Sequence, residues 1–148
     1  MGGHFGSSVI VDRPIGEVFE YLAEGTHDKE FSERIVEIEK RTDGPVDVGT
    51  VFASVAKDIG FKQKHEFELT AFDPPTKIRW RELTKPPIYV TEGGYDLVAA
   101  SEGATEVSFF NLLEGRGIGK LFAGMAVKQA RKGADEFTAA IKAAIESG

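Results

Sequence analysis

Cysteine is absent from the 148 residues, which excludes disulfide bonds, thiolate catalysis and thiolate-ligated metal. That absence fits a reducing compartment, and the cytoplasm is the expected location. Histidine is scarce as well. His4, His27 and His65 lie far apart with no ligand-like spacing, so no metal is expected and no cofactor is implied. Positive charge is in deficit: a net charge of −6 and a pI near 5.1 repel phosphate backbones and give no long-range attraction to anionic lipid headgroups. Nucleic acid is therefore not an expected partner. No run approaches ~18 consecutive apolar residues, and no basic segment leads into an apolar one near the start, so neither integral membrane association nor a signal peptide is expected. Repeats and low-complexity tracts are also missing, and residues Met1 to His4 receive no function.

What is present suits one folding unit, 1–148, with a core of its own. Apolar residues make up 41% and charged residues 28%. The aromatic supply is 11 Phe against 1 Trp and 3 Tyr, so most rings bring no polar handle to the interior.

Along the chain, Val9-Ile10-Val11 reads as the first strand. Asp12 then caps a helix that Pro14 starts and that Ile15, Val18, Phe19 and Leu22 give an apolar face, ending near Gly25. The segment from Thr26 to Arg34 reads either as a second short helix or as an irregular connection, and Asp28, Glu30 and Glu33 within it read as solvated charges. From Ile35 the period becomes two. Strands over Ile35 to Glu39, Thr50 to Lys57, Phe61 to Phe72, Lys77 to Thr84, Tyr89 to Ala100 and Thr105 to Leu113 are separated by tight turns at Asp43-Gly44-Pro45, Asp73-Pro74-Pro75-Thr76, Lys85-Pro86-Pro87 and Ser101-Glu102-Gly103. Hairpin succeeding hairpin predicts an antiparallel sheet, and Gly93-Gly94 inside a strand pattern predicts a bulge or bend that curls it.

After Gly115-Arg116-Gly117, apolar residues at Ile118, Leu121, Phe122, Met125, Phe137, Ile141 and Ile145 predict one long amphipathic helix of about 42 Å. Lys120, Lys128, Arg131, Lys132, Asp135 and Lys142 form its solvated face. The strand-to-helix step Gly115 to Lys120 superficially suggests a phosphate loop, but the spacing misses both standard fingerprints and no parallel strand follows. A backbone turn explains it better.

The register of one hairpin is open to test. If Asp73 to Thr76 is a four-residue turn, Ala71 faces Ile78, Leu69 faces Trp80, Phe67 faces Glu82 and His65 faces Thr84, while Glu68 and Arg81 pair on the opposite side. One face is then largely apolar, and a slip by one residue would mix Phe67 and Leu69 with the arginines. On that apolar face His65 and Glu82 are diagonal neighbours, a combination able to move a proton or to hold the polar end of a ligand. The sides taken by Tyr95 and Asn111 depend on whether the turn at Ser101 to Gly103 has two, three or four residues.

The order strand, short helical segment, antiparallel strands and long C-terminal helix resembles the START-like or helix-grip superfamily, polyketide cyclase/dehydrase type (SRPBCC). The resemblance covers nearly the whole chain and rests on Ile10 to Phe19, on the Phe72-Asp73-Pro74-Pro75 turn leading to Ile78 and Trp80, and on Gly103 to Val107. It implies an α+β fold with a curved antiparallel sheet of about six or seven strands around the last helix. Relatives enclose sterols, polyketides, lipids or hormones, a minority are cyclases or dehydratases, and no universal catalytic motif carries over.

Three functions follow as expectations. The first is binding or transport of a hydrophobic or amphipathic small molecule (lipid, polyketide or isoprenoid-like), with Phe67, Leu69, Trp80, Phe109, Phe122 and Met125 as walls. His65, Glu82, Tyr95 and Asn111 would supply polar contacts. The alternatives are an aromatic polyketide cyclase or dehydratase using His65 and Glu82 as acid and base, and a protein-binding, co-chaperone-like module. Against all three stands the possibility that the rings simply pack into a dense core.

Overall fold

The computed structural model describes residues 3–58 and 61–147. In chain order it contains β1 (Gly3–Val11), α1 (Ile15–Ala23), a 3-10 helix (Gly25–Glu30), β2 (Ile35–Lys40), β3 (Val51–Asp58), β4 (Phe61–Asp73), β5 (Lys77–Glu82), β6 (Ile88–Ser101), β7 (Ala104–Gly115) and α2 (Gly119–Glu146). The seven strands form one antiparallel sheet in the order β1-β7-β6-β5-β4-β3-β2. Every expected strand is present, and the segment after α1 resolves as the 3-10 helix.

β1 is longer than Val9 to Val11 because it pairs with β7 along its whole length, from Gly3↔Leu113 to Val11↔Thr105. Asp12 is not the cap of α1. The helix opens at Pro14 without a side-chain cap, and the Asp12-Arg13 segment is drawn instead to the end of α2. There the Asp12 amide donates to Glu146 Oε2 at 2.7 Å, and Arg13 Nη2 donates to the Glu146 carbonyl oxygen at 2.6 Å. Arg13 thereby satisfies a carbonyl at the helix C-terminus, where a cation also complements the helix dipole.

The hairpin β4–β5 holds the expected register at Leu69↔Trp80, Phe67↔Glu82 and Glu68↔Arg81. Nearer the turn it departs: a bulge between Leu69 and Ala71 pairs Ala71 with Arg79 and Phe72 with Ile78. The extra residue turns Phe72 inward, where its ring meets Phe19 of α1 at 5.3 Å. The convex side carries Arg81 paired with Glu68 and Arg79 paired through two hydrogen bonds with Asp96, at 2.9 and 3.0 Å. Gly93 and Gly94 are not themselves bulges in β6, whose register shifts against β7 fall between Val90 and Glu92 and between Ala99 and Ser101. They permit close contact, since a Cβ on Gly93 would overlap the Trp80 indole nitrogen and the Asn111 amide oxygen.

Packing is uneven along the concave face. Beside α1 and the end of α2 it is complete: Val11, Val18, Leu97, Val107 and Ile141 expose 2% or less. Toward the start of α2 the same face loosens, and Phe67, Trp80, Asn111 and Leu113 are only half-buried. The residues that α2 buries between Gly119 and Ala134 are Gly119, Ala123, Val127 and Ala134. Small residues on this part of the helix bring little side-chain volume to the sheet beneath.

The apolar stripe expected along α2 proves to be two. Ile141 and Ile145 belong to the core, with Phe137 packed against it. Ile118, Leu121, Phe122 and Met125 are 66%, 79%, 48% and 64% exposed. At about 100° per residue, Leu121 and Met125 point some 120–160° away from Ile141 and Ile145, so one face cannot bury both groups.

Candidate functional site

The concave face over β4 to β7 collects most of the residues singled out in the sequence, Leu69, Tyr95 and Phe109 buried and Phe67, Trp80 and Asn111 half-buried. Leu69 and Trp80 are cross-strand partners, as are Phe67 and Glu82, and as are Tyr95 and Phe109. The turn after β6 is closed by Ser101↔Ala104 with Gly103 at φ +84°, which sets Tyr95, Phe109 and Asn111 on the inner side. Trp80 is the hub of this wall. Its ring lies 5.1 Å from Tyr95 and 6.3 Å from Phe109, and Phe109 continues to Phe137 of α2 at 4.6 Å. Its Nε1–H donates to Asn111 Oδ1 at 3.0 Å, so the one tryptophan is fixed in rotation by a polar bond within an apolar surface.

Phe122 and Met125 do not join this wall. Both lie outside the core cluster, on the exposed side of α2, because their helical phase differs from that of the buried stripe.

His65 and Glu82 are in direct contact. Nδ1 of His65 lies 2.7 Å from Glu82 Oε2, and their side chains expose 12% and 2%. The carboxylate has two further donors: Thr84 Oγ1 reaches Oε2 at 2.6 Å, and the Val90 amide reaches Oε1 at 3.1 Å. With the carboxylate accepting throughout, the imidazole hydrogen is on Nδ1. Both oxygens are engaged, which is what makes burying the carboxylate tolerable. Thr84 is itself held, accepting from the Glu66 amide at 3.2 Å. Ser54, buried on β3, is the cross-strand partner of His65. This arrangement can orient a polar group of a guest or pass a proton through the imidazole.

Sequence reasoning missed Thr84 and Val90 as supports of Glu82, since contacts between separate strands have no signature in one strand. It also treated Asp28 as a solvated charge. Asp28 is enclosed by protein, and burial, followed by the charge of nearby Glu24, raises its pKa to about 8. Glu24 Oε1 is buried without a hydrogen-bond partner among the described residues. Burial and then the Asp28 charge push the Tyr95 hydroxyl well above its ordinary value. Near pH 7 Asp28 is therefore largely protonated in the fold while it is ionised in the unfolded chain. The folded state binds the extra proton, so stability contributed by this group falls as pH rises from about 4 to about 8. Asp28 keeps some accessible surface, which limits the size of the effect. Asp28→Asn is expected to flatten that decline and to raise stability at pH 8. Thermal melts at several pH values check this, and an unchanged slope would refute it.

A separate cleft of about 280 Å3 opens between α1 and the end of α2, lined by Arg13, Glu17, Tyr21, Glu30 and Ile145 among others. It lies at the densely packed end, where Tyr21 donates to Glu30 at 2.7 Å and Arg13 to the Glu146 carbonyl oxygen. Among the described residues no three His, Asp or Glu side chains gather to hold a metal ion. No helix among them is long and apolar enough to cross a membrane.

A long helix laid across a curved seven-stranded antiparallel sheet, with two short helices after the first strand, defines the helix-grip or START-like class. Residues 3–146 match the family model described as polyketide cyclase / dehydrase and lipid transport, and the chain belongs to that family. Solved structures agree on the fold. The Zhui aromatase/cyclase from Streptomyces sp. R1128 is similar with a TM-score of 0.76 at 17% identity, over 99% of this chain and 93% of that one. The TTHA0849 protein from Thermus thermophilus gives 0.79 at 14% identity, over 97% of both chains. A START superfamily protein from Mycobacterium smegmatis gives 0.76 at 12% identity, over 98% of both. A comparison with curated proteins produced no match.

Proposed function

We propose that the protein binds a hydrophobic or amphipathic small molecule, of lipid, polyketide or isoprenoid type, between the first half of α2 and the concave face of the sheet. Phe67, Leu69, Trp80 and Phe109 are its walls, and His65, Glu82, Tyr95 and Asn111 meet its polar groups. One observation carries the reading: on the sheet's inner side Phe67 and Trp80 stay half-buried beside the buried Leu69, Tyr95 and Phe109, at the end where α2 buries only small residues. An apolar guest there would gain about 25 cal/mol per Å2 removed from water, less the cost of association.

A second reading has its own support. The hydrogen-bonded His65 and Glu82 on an apolar wall are an acid/base pair of the kind a cyclase or dehydratase needs, in a family that includes such enzymes.

Native mass spectrometry of the protein purified from its own source is expected to show a stoichiometric apolar adduct. Uptake of a naphthalene-sulfonate dye by stripped protein should survive His65→Ala and Glu82→Gln with altered affinity only. A loss of at least ~100-fold in turnover of the recovered compound on His65→Ala would favour the enzyme. Stripped protein that takes up no apolar probe would overturn both readings.

A further inference from the structure

The overall acidity of the chain conceals a local reversal. Between Gly115 and Ala134 stand Arg116, Lys120, Lys128, Arg131 and Lys132 with no Asp or Glu, so this stretch carries +5 within a chain of net charge −6. The same stretch holds Ile118, Leu121, Phe122 and Met125, each 48% exposed or more. Solvent-facing apolar side chains of this size grouped within two helical turns mark an interaction surface.

The two patterns are ordered along one side of the helix. Lys128 follows Leu121, and Lys132 follows Met125, at seven-residue spacing, which returns to nearly the same angle about 10 Å further along the axis. All four cations of α2 in this stretch are exposed. Exposed large apolar side chains followed by cations on the same side of one helix combine the two attractions that hold a protein on an anionic lipid surface, apolar insertion and charge.

We propose that the N-terminal half of α2 docks the protein on an anionic lipid bilayer, with Ile118, Leu121, Phe122 and Met125 entering the interface and Lys120, Lys128 and Lys132 meeting the lipid phosphates. The charge pattern selects this occupant. A second copy docked through the same stretch would add five more cations with no Asp or Glu there to offset them, and nucleic acid would leave the apolar row unused while facing the acidity of the rest of the chain. The surface adjoins the loosely packed end of the concave face, through the turn at Gly115 to Gly119 that closes on Pro87. Docking would therefore present that end to the membrane. The bilayer surface rests on exposure and charge alone, independently of the proposed internal guest.

Flotation of the full chain with vesicles tests it. Binding is expected to phosphatidylcholine vesicles containing phosphatidylglycerol, to weaken steeply with salt, and to be slight on pure phosphatidylcholine. Lys128→Gln with Lys132→Gln should weaken anionic-vesicle binding about 30-fold, and Leu121→Asp with Met125→Asp at least about tenfold. Both pairs change exposed side chains, so circular dichroism and dye uptake in solution should match the unchanged protein. Failure of dye uptake alone would refute the cavity and leave the surface standing. Equal flotation with both lipid compositions, no flotation at all, or a concentration-dependent dimer abolished by Leu121→Asp would overturn the bilayer as the occupant.

Discussion

Glu82→Leu is expected to lower the unfolding free energy by about 3–5 kcal/mol, and His65→Ala by only about 1–3 kcal/mol, although the two residues share one bond. The asymmetry follows from what each removal leaves behind. Without the imidazole, the Glu82 carboxylate still accepts from Thr84 Oγ1 at 2.6 Å and from the Val90 amide at 3.1 Å. Without the carboxylate, three donors lose their acceptor: the Val90 amide, the Thr84 hydroxyl and His65 Nδ1. Glu82 is also the tie between β5 and the start of β6, because the ladder between these two strands begins only at Trp80↔Gly93 and the Val90 amide turns to the side chain instead. Urea titrations of both variants at neutral pH measure the difference, with Thr84→Val expected near 1 kcal/mol. A His65→Ala variant as unstable as Glu82→Leu would mean that the imidazole, and not the carboxylate, organises the network.

The features legible in the sequence are those with a local period. Alternation along β4 and β5 placed Phe67 against Glu82 and Leu69 against Trp80, because Glu68 and Arg81 on the other side left a single register that separates charge from apolar surface. Closer to the turn, the same reasoning put Ala71 where Phe72 stands, since a bulge changes the side of every residue beyond it and has no marker in Leu69-Thr70-Ala71. On α2 the apolar positions were counted without their phase. Leu121 and Met125 recur at helical spacing with each other but not with Ile141, and the angular sum alone separates the two stripes. Asp28 was illegible for a different reason. Its enclosure results from packing between the 3-10 helix and the sheet, so a polar-looking segment acquired a carboxyl with its pKa raised to about 8. The partners of Glu82 come from β4, from the turn after β5 and from β6, and only the folded sheet brings them to one carboxylate.

The aromatic wall depends on the absence of one side chain. Gly93 pairs with Trp80 on one side and with Asn111 on the other, and the Trp80–Asn111 hydrogen bond passes over the place where its Cβ would stand. Gly93→Val therefore cannot be accommodated by a rotamer change at position 93 itself. Either Trp80 leaves Asn111, losing a 3.0 Å bond and its contacts with Tyr95 and Phe109, or strand β6 moves away from β5. Overpacking costs about 1–3 kcal/mol and a broken half-buried hydrogen bond about 1–3 more, so a loss of about 3 kcal/mol is expected, with dye uptake reduced at least tenfold. Gly93→Ala should show the same change in direction with a smaller size. The Trp80 fluorescence of the folded variant supplies the local readout, because it is the only tryptophan and its indole N–H would change partner. An unshifted emission spectrum together with wild-type dye affinity would show that the wall does not need the Trp80–Asn111 bond. Asn111→Ala separates the two causes: it removes the acceptor without adding bulk, and it should leave β6 in place while freeing the indole to rotate. If Asn111→Ala alone reproduces the loss of uptake, the polar bond within the apolar wall is what holds the site in shape.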